Sequence, residues 1–194
     1  GENRLDATLT ADDGFIFPTL TDIQKLFLLG RGGGLQADDI VGVEEIWSSN
    51  SQLPLTVTGV GELVTVGMRN IEGPRDYTLQ FAPSVLEDAG GEVDAALDNV
   101  DAEGAFLSIS DGTTDGGVST LNLQSLGGSN LLGFLLSGQA VFNQQGQRVG
   151  SQTNQNLATD LRTVNIEGDA DLEIANPLPT EITTLDASGL EATL

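Results

Sequence analysis

The chain has 194 residues and a mass of 20.2 kDa, enough for one domain that buries roughly 70% of its unfolded surface without a covalent staple. Twenty-nine Asp and Glu stand against seven Lys and Arg, a net charge of −22, which excludes a general nucleic-acid binder and electrostatic docking on anionic lipid. Cys and His are both absent, so disulfides, zinc centres, thiol nucleophiles and Ser-His-Asp triads are excluded as well. Carboxylate, hydroxyl and oxygen-ligated metal chemistry remain.

No stretch of about 18 apolar residues is present, so no membrane-inserted helix is expected. Gly1-Glu2-Asn3-Arg4 lacks the features of an export signal, and Leu190-Glu191-Ala192-Thr193-Leu194 reads like mid-strand. The expectation is a single β-rich repeat domain over residues 1–194, cut from a longer chain.

The elements are short strands. Leu55–Thr58, Leu63–Val66, Tyr77–Phe81, Phe106–Ile109, Leu121–Leu123 and Val164–Ile166 alternate apolar and polar with period two between Gly, Asp or Asn boundaries. Strands of this length are not expected to build a large open sheet. Between Ala82 and Val100, Pro83 to Glu87 has room for a turn or two of helix, but Gly90-Gly91 interrupts it. Val93, Ala95 and Leu97 alternate as a strand does. Phe15, Phe27, Phe134 and Phe142 lie in apolar runs and are expected in the core, as is the run Leu131–Leu136 as a buried strand.

A phrase of spaced apolar residues recurs at Leu20–Leu26, Ile40–Ile46, Leu157–Val164 and Ile182–Leu185. Ile23 and Val43 are 20 residues apart, and Leu161 and Ile182 are 21 apart. A period near 20 is that of one coil in a stacked architecture, so the expected fold is all-β, short strands stacked in a β-solenoid, with an irregular β-sandwich as the alternative. Asn-Ile-Glu-Gly occurs at Asn70–Gly73 and Asn165–Gly168, and Leu-Asp-Ala at Leu5–Ala7 and Leu185–Ala187. Both suggest a repetitive array.

Acidic turns are the site-like features. Asp111 and Asp115 bracket a Gly- and Thr-rich loop, Asp12 and Asp13 precede Gly14, and Asp169 and Asp171 follow Gly168. Oxygen atoms converging in such loops suit calcium, although none has EF-hand spacing and Asp and Gly are also ordinary turn residues. Clustered carboxylates are expected to repel one another and bind protons more readily. One Trp and one Tyr make no sugar platform, and an acidic surface repels anionic polysaccharide. No enzyme is expected.

Leu161–Leu172 and Leu185–Leu190, with Leu5–Leu9 and Pro18–Ile23 at the other end, resemble the β-strand repeats of bacterial surface-layer and RTX-type surface proteins. The resemblance implies secretion, calcium binding and assembly on the cell surface. The glycine-aspartate nonapeptide that carries calcium in RTX repeats is absent here. The expected function is an extracellular, non-enzymatic structural protein that associates with itself into a lattice or filament, head to tail, with calcium stabilising it. Two alternatives are a calcium-dependent adhesin or carbohydrate-binding module facing a cell-surface glycan, and a coat protein of a halophile. The last fits a chain with Lys25 as its single lysine.

Overall fold

Among the described residues every strand ladder is parallel, and most strands pair with one lying a turn of chain away rather than with the next in sequence. A computed structural model describes residues 2–112, 117–137 and 160–193. The chain begins with β1 (Arg4–Thr10), a 3₁₀ turn (Ala11–Asp13), β2 (Phe15–Ile16) and β3 (Leu20–Thr21). It then repeats that path as β4 (Lys25–Arg31), β5 (Gly34–Gln36) and β6 (Ile40–Val41). Next come β7 (Glu45–Ser49), β8 (Leu55–Val60), β9 (Thr65–Glu72), β10 (Tyr77–Phe81) and a short helix α1 (Pro83–Asp88). The 19-residue β11 (Glu92–Ser110) follows, then β12 (Thr120–Leu126) and β13 (Asn130–Ser137). The last described strands are β14 (Thr163–Gly168), β15 (Leu172–Ile174) and β16 (Thr184–Leu190).

Among the described residues, fourteen strands form one sheet and β3 pairs with β6 apart from it. One run of the sheet is β1-β4-β7-β9-β11-β12-β14-β16, and the other is β2-β5-β8-β10-β11-β13-β15. They meet in β11, whose first half pairs with β9 and β12 and whose second half pairs with β10 and β13. The sheet therefore doubles back at β11 and nearly closes on itself. The strands are mostly short, as their alternation predicts, and they stack into one large sheet that is nearly closed rather than open. Length along the strand does not limit the number of strands that stack.

The register shows how the sequence repeats. Lys25 pairs with Glu45, a step of 20, and Thr163 with Thr184, a step of 21. These are the steps read from Ile23 to Val43 and from Leu161 to Ile182. Steps lengthen to 28 between β11 and β12 (Glu92↔Thr120) and to 43 between β12 and β14 (Thr120↔Thr163). Insertions therefore fall in connections and leave the ladder intact.

Parallel pairing at constant register aligns like residues in rows. Leu5, Leu26, Ile46, Val66, Ala95, Leu123 and Ile166 form an inward row, and all but Leu5 are buried. From the other run come the rows Ile16-Leu35-Val57-Leu79-Ile109 and Leu55-Tyr77-Leu107-Leu135. The rows face one another across one continuous core. Tyr77 is fully buried there and donates its hydroxyl to the Ile46 carbonyl at 3.2 Å. Burial pushes that hydroxyl's pKa up.

Not every apolar residue follows its expected place. Phe15 is 45% exposed, because on the two-residue β2 it points outward while Ile16 points in. Phe27 is buried, but outside the core, in a small cluster with Trp47 and Ala96. Phe134 is half-buried, and Phe142 lies outside the described residues. Leu132 and Leu135 are buried in β13, as the Leu131–Leu136 run predicts.

Candidate functional site

The aspartates singled out as metal ligands stand on separate turns. Asp12 and Asp13 occupy the 3₁₀ turn after β1, and the Asp13 carboxylate accepts a hydrogen bond from the Thr10 hydroxyl at 2.5 Å. Asp111 follows β11 directly, beside Gly117, and Asp115 lies outside the described residues. Asp169 is exposed in the turn after β14. The carboxylate of Asp171 accepts the Thr193 N–H at 2.8 Å, while its backbone carbonyl accepts the Asn130 N–H at 2.7 Å. Asp13 and Asp171 thus act as turn-holding acceptors. Among the described residues, no three acidic side chains gather into a group fit to hold a metal ion.

The outward rows hold the arrangement that a reading by loops misses. Arg4, Lys25, Glu45 and Thr65 follow one another across β1, β4, β7 and β9. Asp94, Asn122, Asn165 and Asp186 continue the row across β11, β12, β14 and β16, since Val66 pairs with Ala95. Three neighbouring pairs in the row are linked through their side chains. Lys25 bridges Glu45 at 2.9 Å, the Asn122 amide donates to Asp94 at 2.9 Å, and the Asn165 amide donates to Asn122 at 2.9 Å. In the adjacent row the Gln124 amide donates to Glu167 at 2.7 Å. A cleft of about 400 Å³ lies along this stretch, lined by Asp94, Asn122, Gln124, Asn165, Glu167 and Asp186 among others.

Carboxamides interleaved with carboxylates relieve the repulsion that like charges in adjacent strands would suffer. Asp6 and Asp186 both have their pKa moved down. A hydrogen bond from Arg4 lowers Asp6, and the backbone N–H of Ser188 lowers Asp186. Partners, rather than mutual repulsion, set both. The signal for these rows was present in the sequence: Glu92-Val93-Asp94-Ala95, Thr120-Leu121-Asn122-Leu123, Thr163-Val164-Asn165-Ile166 and Thr184-Leu185-Asp186-Ala187 are one phrase.

At the other end the adjacent row runs Asp6, Phe27, Trp47, Gly67 and Ala96. The Arg4 guanidinium lies 4.0 Å from the Phe27 ring centroid, and Phe27 stacks on Trp47 with centroids 5.9 Å apart. Trp47 donates its indole N–H to Glu45 at 2.7 Å and lies flat over Gly67, where a Cβ would run into the ring. This stack is closed by its own residues and exposes little ring surface.

The two ends of the first run are different. Among the described residues, β1 pairs only with β4 and β16 only with β14, which leaves one backbone edge of each free. Leu5 and Ala7 at one end and Ala187 and Leu190 at the other are only partly buried against the core, and Leu185 is 46% exposed. The shared Leu-Asp-Ala phrase is not in the same register at the two ends. Asp6 belongs to the row that reaches Gly189, whereas Asp186 belongs to the row of Arg4. Asn70 and Asn165 are likewise not equivalent: Asn165 is mid-strand, while Asn70 has φ of 49° where the chain bends.

No protein-family model, curated protein or solved structure matches the chain. Among the described residues, no helix is long and apolar enough to cross a membrane.

Proposed function

We propose that this chain is a β-solenoid segment of a non-enzymatic, extracellular structural protein, which builds a surface-layer or matrix filament by stacking copies end on end. The observation that carries the reading is the state of the two ends. Among the described residues, the rows of apolar side chains run the length of the first run to partly covered residues on β1 and β16, each of which is paired along one backbone edge. Free parallel edges template further strands, and a heterologous contact between unlike ends propagates instead of closing. Register steps of 20 and 21 over most of the first run support the coil-by-coil description.

Calcium enters this reading through the net charge of −22. Copies of one strongly acidic chain repel at low ionic strength, and divalent cations screen that repulsion. Sedimentation velocity over a concentration series, with electron microscopy of the same samples, tests the proposal. Concentration-dependent polymers of uniform width, promoted by calcium, are expected. A monodisperse monomer at high concentration in calcium and in molar salt overturns it.

A further inference from the structure

We infer that a cleft at the bend between the two runs binds a short neutral saccharide, held through its hydroxyls by Arg75, Glu72 and the amides of Gln52 and Asn70. The cleft has a volume of about 500 Å³, within the range of small-ligand sites. It lies between the turn after β7, the end of β9 with the turn into β10, and the bend of β11. The strands β1 and β16 take no part in it, and it does not rest on the stacking reading above. One side is a column of asparagines. Ser49 pairs with Arg69 and Arg69 with Asp98, so Asn50, Asn70 and Asn99 follow one another across three strands. All three are left-handed, at φ of 55°, 49° and 56°, a conformation that Asn accepts more readily than most residues. The bend thereby presents three exposed amides along the cleft.

The polar groups here are unspent, unlike those of the cleft along Asn122. There, Asn122, Asn165 and Gln124 bond to neighbouring side chains. Here, among the described residues, the Gln52 and Glu72 side chains have no hydrogen-bond partner, and the Asn70 amide nitrogen donates to none. Arg75 has no carboxylate within ion-pair distance, in a chain where acidic residues outnumber basic ones 29 to 7. Its Nε is packed in without a partner, and an Nη reaches only the Pro74 carbonyl at 3.4 Å. The base of the guanidinium is thus held while its terminal N–H groups keep donor capacity. These groups define the ligand's chemistry. A guanidinium donates, a carboxylate accepts, and an amide does both. Adjacent hydroxyls, which also do both, satisfy all three. Arg75 and Glu72 together carry no net charge, and the −22 of the chain repels anionic ligands. Trp47 and Tyr77 are buried and offer no ring for stacking, so affinity rests on hydrogen bonds and is expected to be roughly millimolar.

Saturation-transfer difference NMR tests the inference, since it reads bound ligand whether the protein is monomeric or assembled. The probes are cellotetraose, maltotetraose and mannotetraose, with tetragalacturonate as the anionic comparison. At least one neutral probe should bind, and more tightly than tetragalacturonate. Arg75→Ala should weaken that binding about tenfold or more, as expected for hydrogen bonds to a charged group, and Gln52→Ala should weaken it severalfold. Asn122→Ala removes an amide from the other cleft and should bind as the wild type does. Circular dichroism checks that each variant keeps its fold. Gln52 is exposed and bonded to nothing through its side chain, so its variant decides the matter if Arg75→Ala disturbs the turn. The inference is overturned if no neutral probe binds, or if tetragalacturonate binds best. Binding unchanged in Gln52→Ala and Arg75→Ala, or lost equally in Asn122→Ala, also overturns it.

Discussion

Trp47 covers Gly67 so closely that the pair behaves as one packed unit, and the position tolerates no side chain without moving the indole. Gly67→Ala should therefore cost about 1–3 kcal/mol in urea unfolding and redshift Trp47 emission as the ring lifts into water. Asn130 is a second such residue. Its side chain accepts the Val100 N–H at 2.9 Å and donates to the Ser125 hydroxyl at 2.9 Å and the Leu126 carbonyl at 3.0 Å, all beneath the bend of β11. Asn130→Ala strands those buried groups and should cost about 3 kcal/mol, whereas Tyr77→Phe, which loses one bond, should cost about 1 kcal/mol. Asp6 and Asp186 give the acid limb its sign. Both have folded pKa values below their unfolded ones, so their stabilisation is complete above the unfolded value of about 4 and is lost as pH falls through the folded value. The wild type should be more stable than Asp6→Asn/Asp186→Asn at pH 7, and the two should converge in the most acidic part of a urea titration against pH.

At the scale of elements, the strands were legible where inward and outward residues alternate, as in Thr120–Leu126. The segment from Ala82 to Val100 is both things its sequence suggests. Pro83 opens a helix that Gly90 and Gly91, at φ of 63° and 75°, bring to an end, and β11 begins at Glu92. The length of β11 was hidden by Asn99, whose φ of 56° bends the chain without ending its pairing. Phe27 is expected in the core because it lies in an apolar run, and only the register reveals that it stacks on Trp47 in a separate cluster with Gly67 and Ala96 alongside. The acidic turns drew attention from the strand faces, where Asn122, Asn165 and Gln124 separate the carboxylates. Replacing Asn122 and Asn165 together by Asp puts like charges in adjacent strands. That variant should lose about 1–2 kcal/mol at low ionic strength and recover much of it in molar salt, read from urea midpoints.

For the whole molecule, a net charge of −22 on a stacked sheet makes salt the main external variable. Screening lengths fall from about 30 Å at 0.01 M to about 3 Å at 1 M, so Tm should climb across that range. Calcium and magnesium at equal concentration should raise it alike, because the acidic groups described do not converge on one ion. A calcium-specific increment would instead draw attention to the turn that Asp111 opens. Stacking itself has a dimension that chemistry cannot mimic. The first run contains eight strands, and at about 4.8 Å per strand a copy occupies about 38 Å along the stack. Fibre diffraction from oriented, sedimented polymer measures both spacings at once. A meridional reflection near 4.8 Å with an axial repeat near 38 Å is the predicted pattern. Polymer whose 4.8 Å spacing lies across the fibre axis, or whose repeat bears no relation to eight strands, would contradict end-to-end stacking.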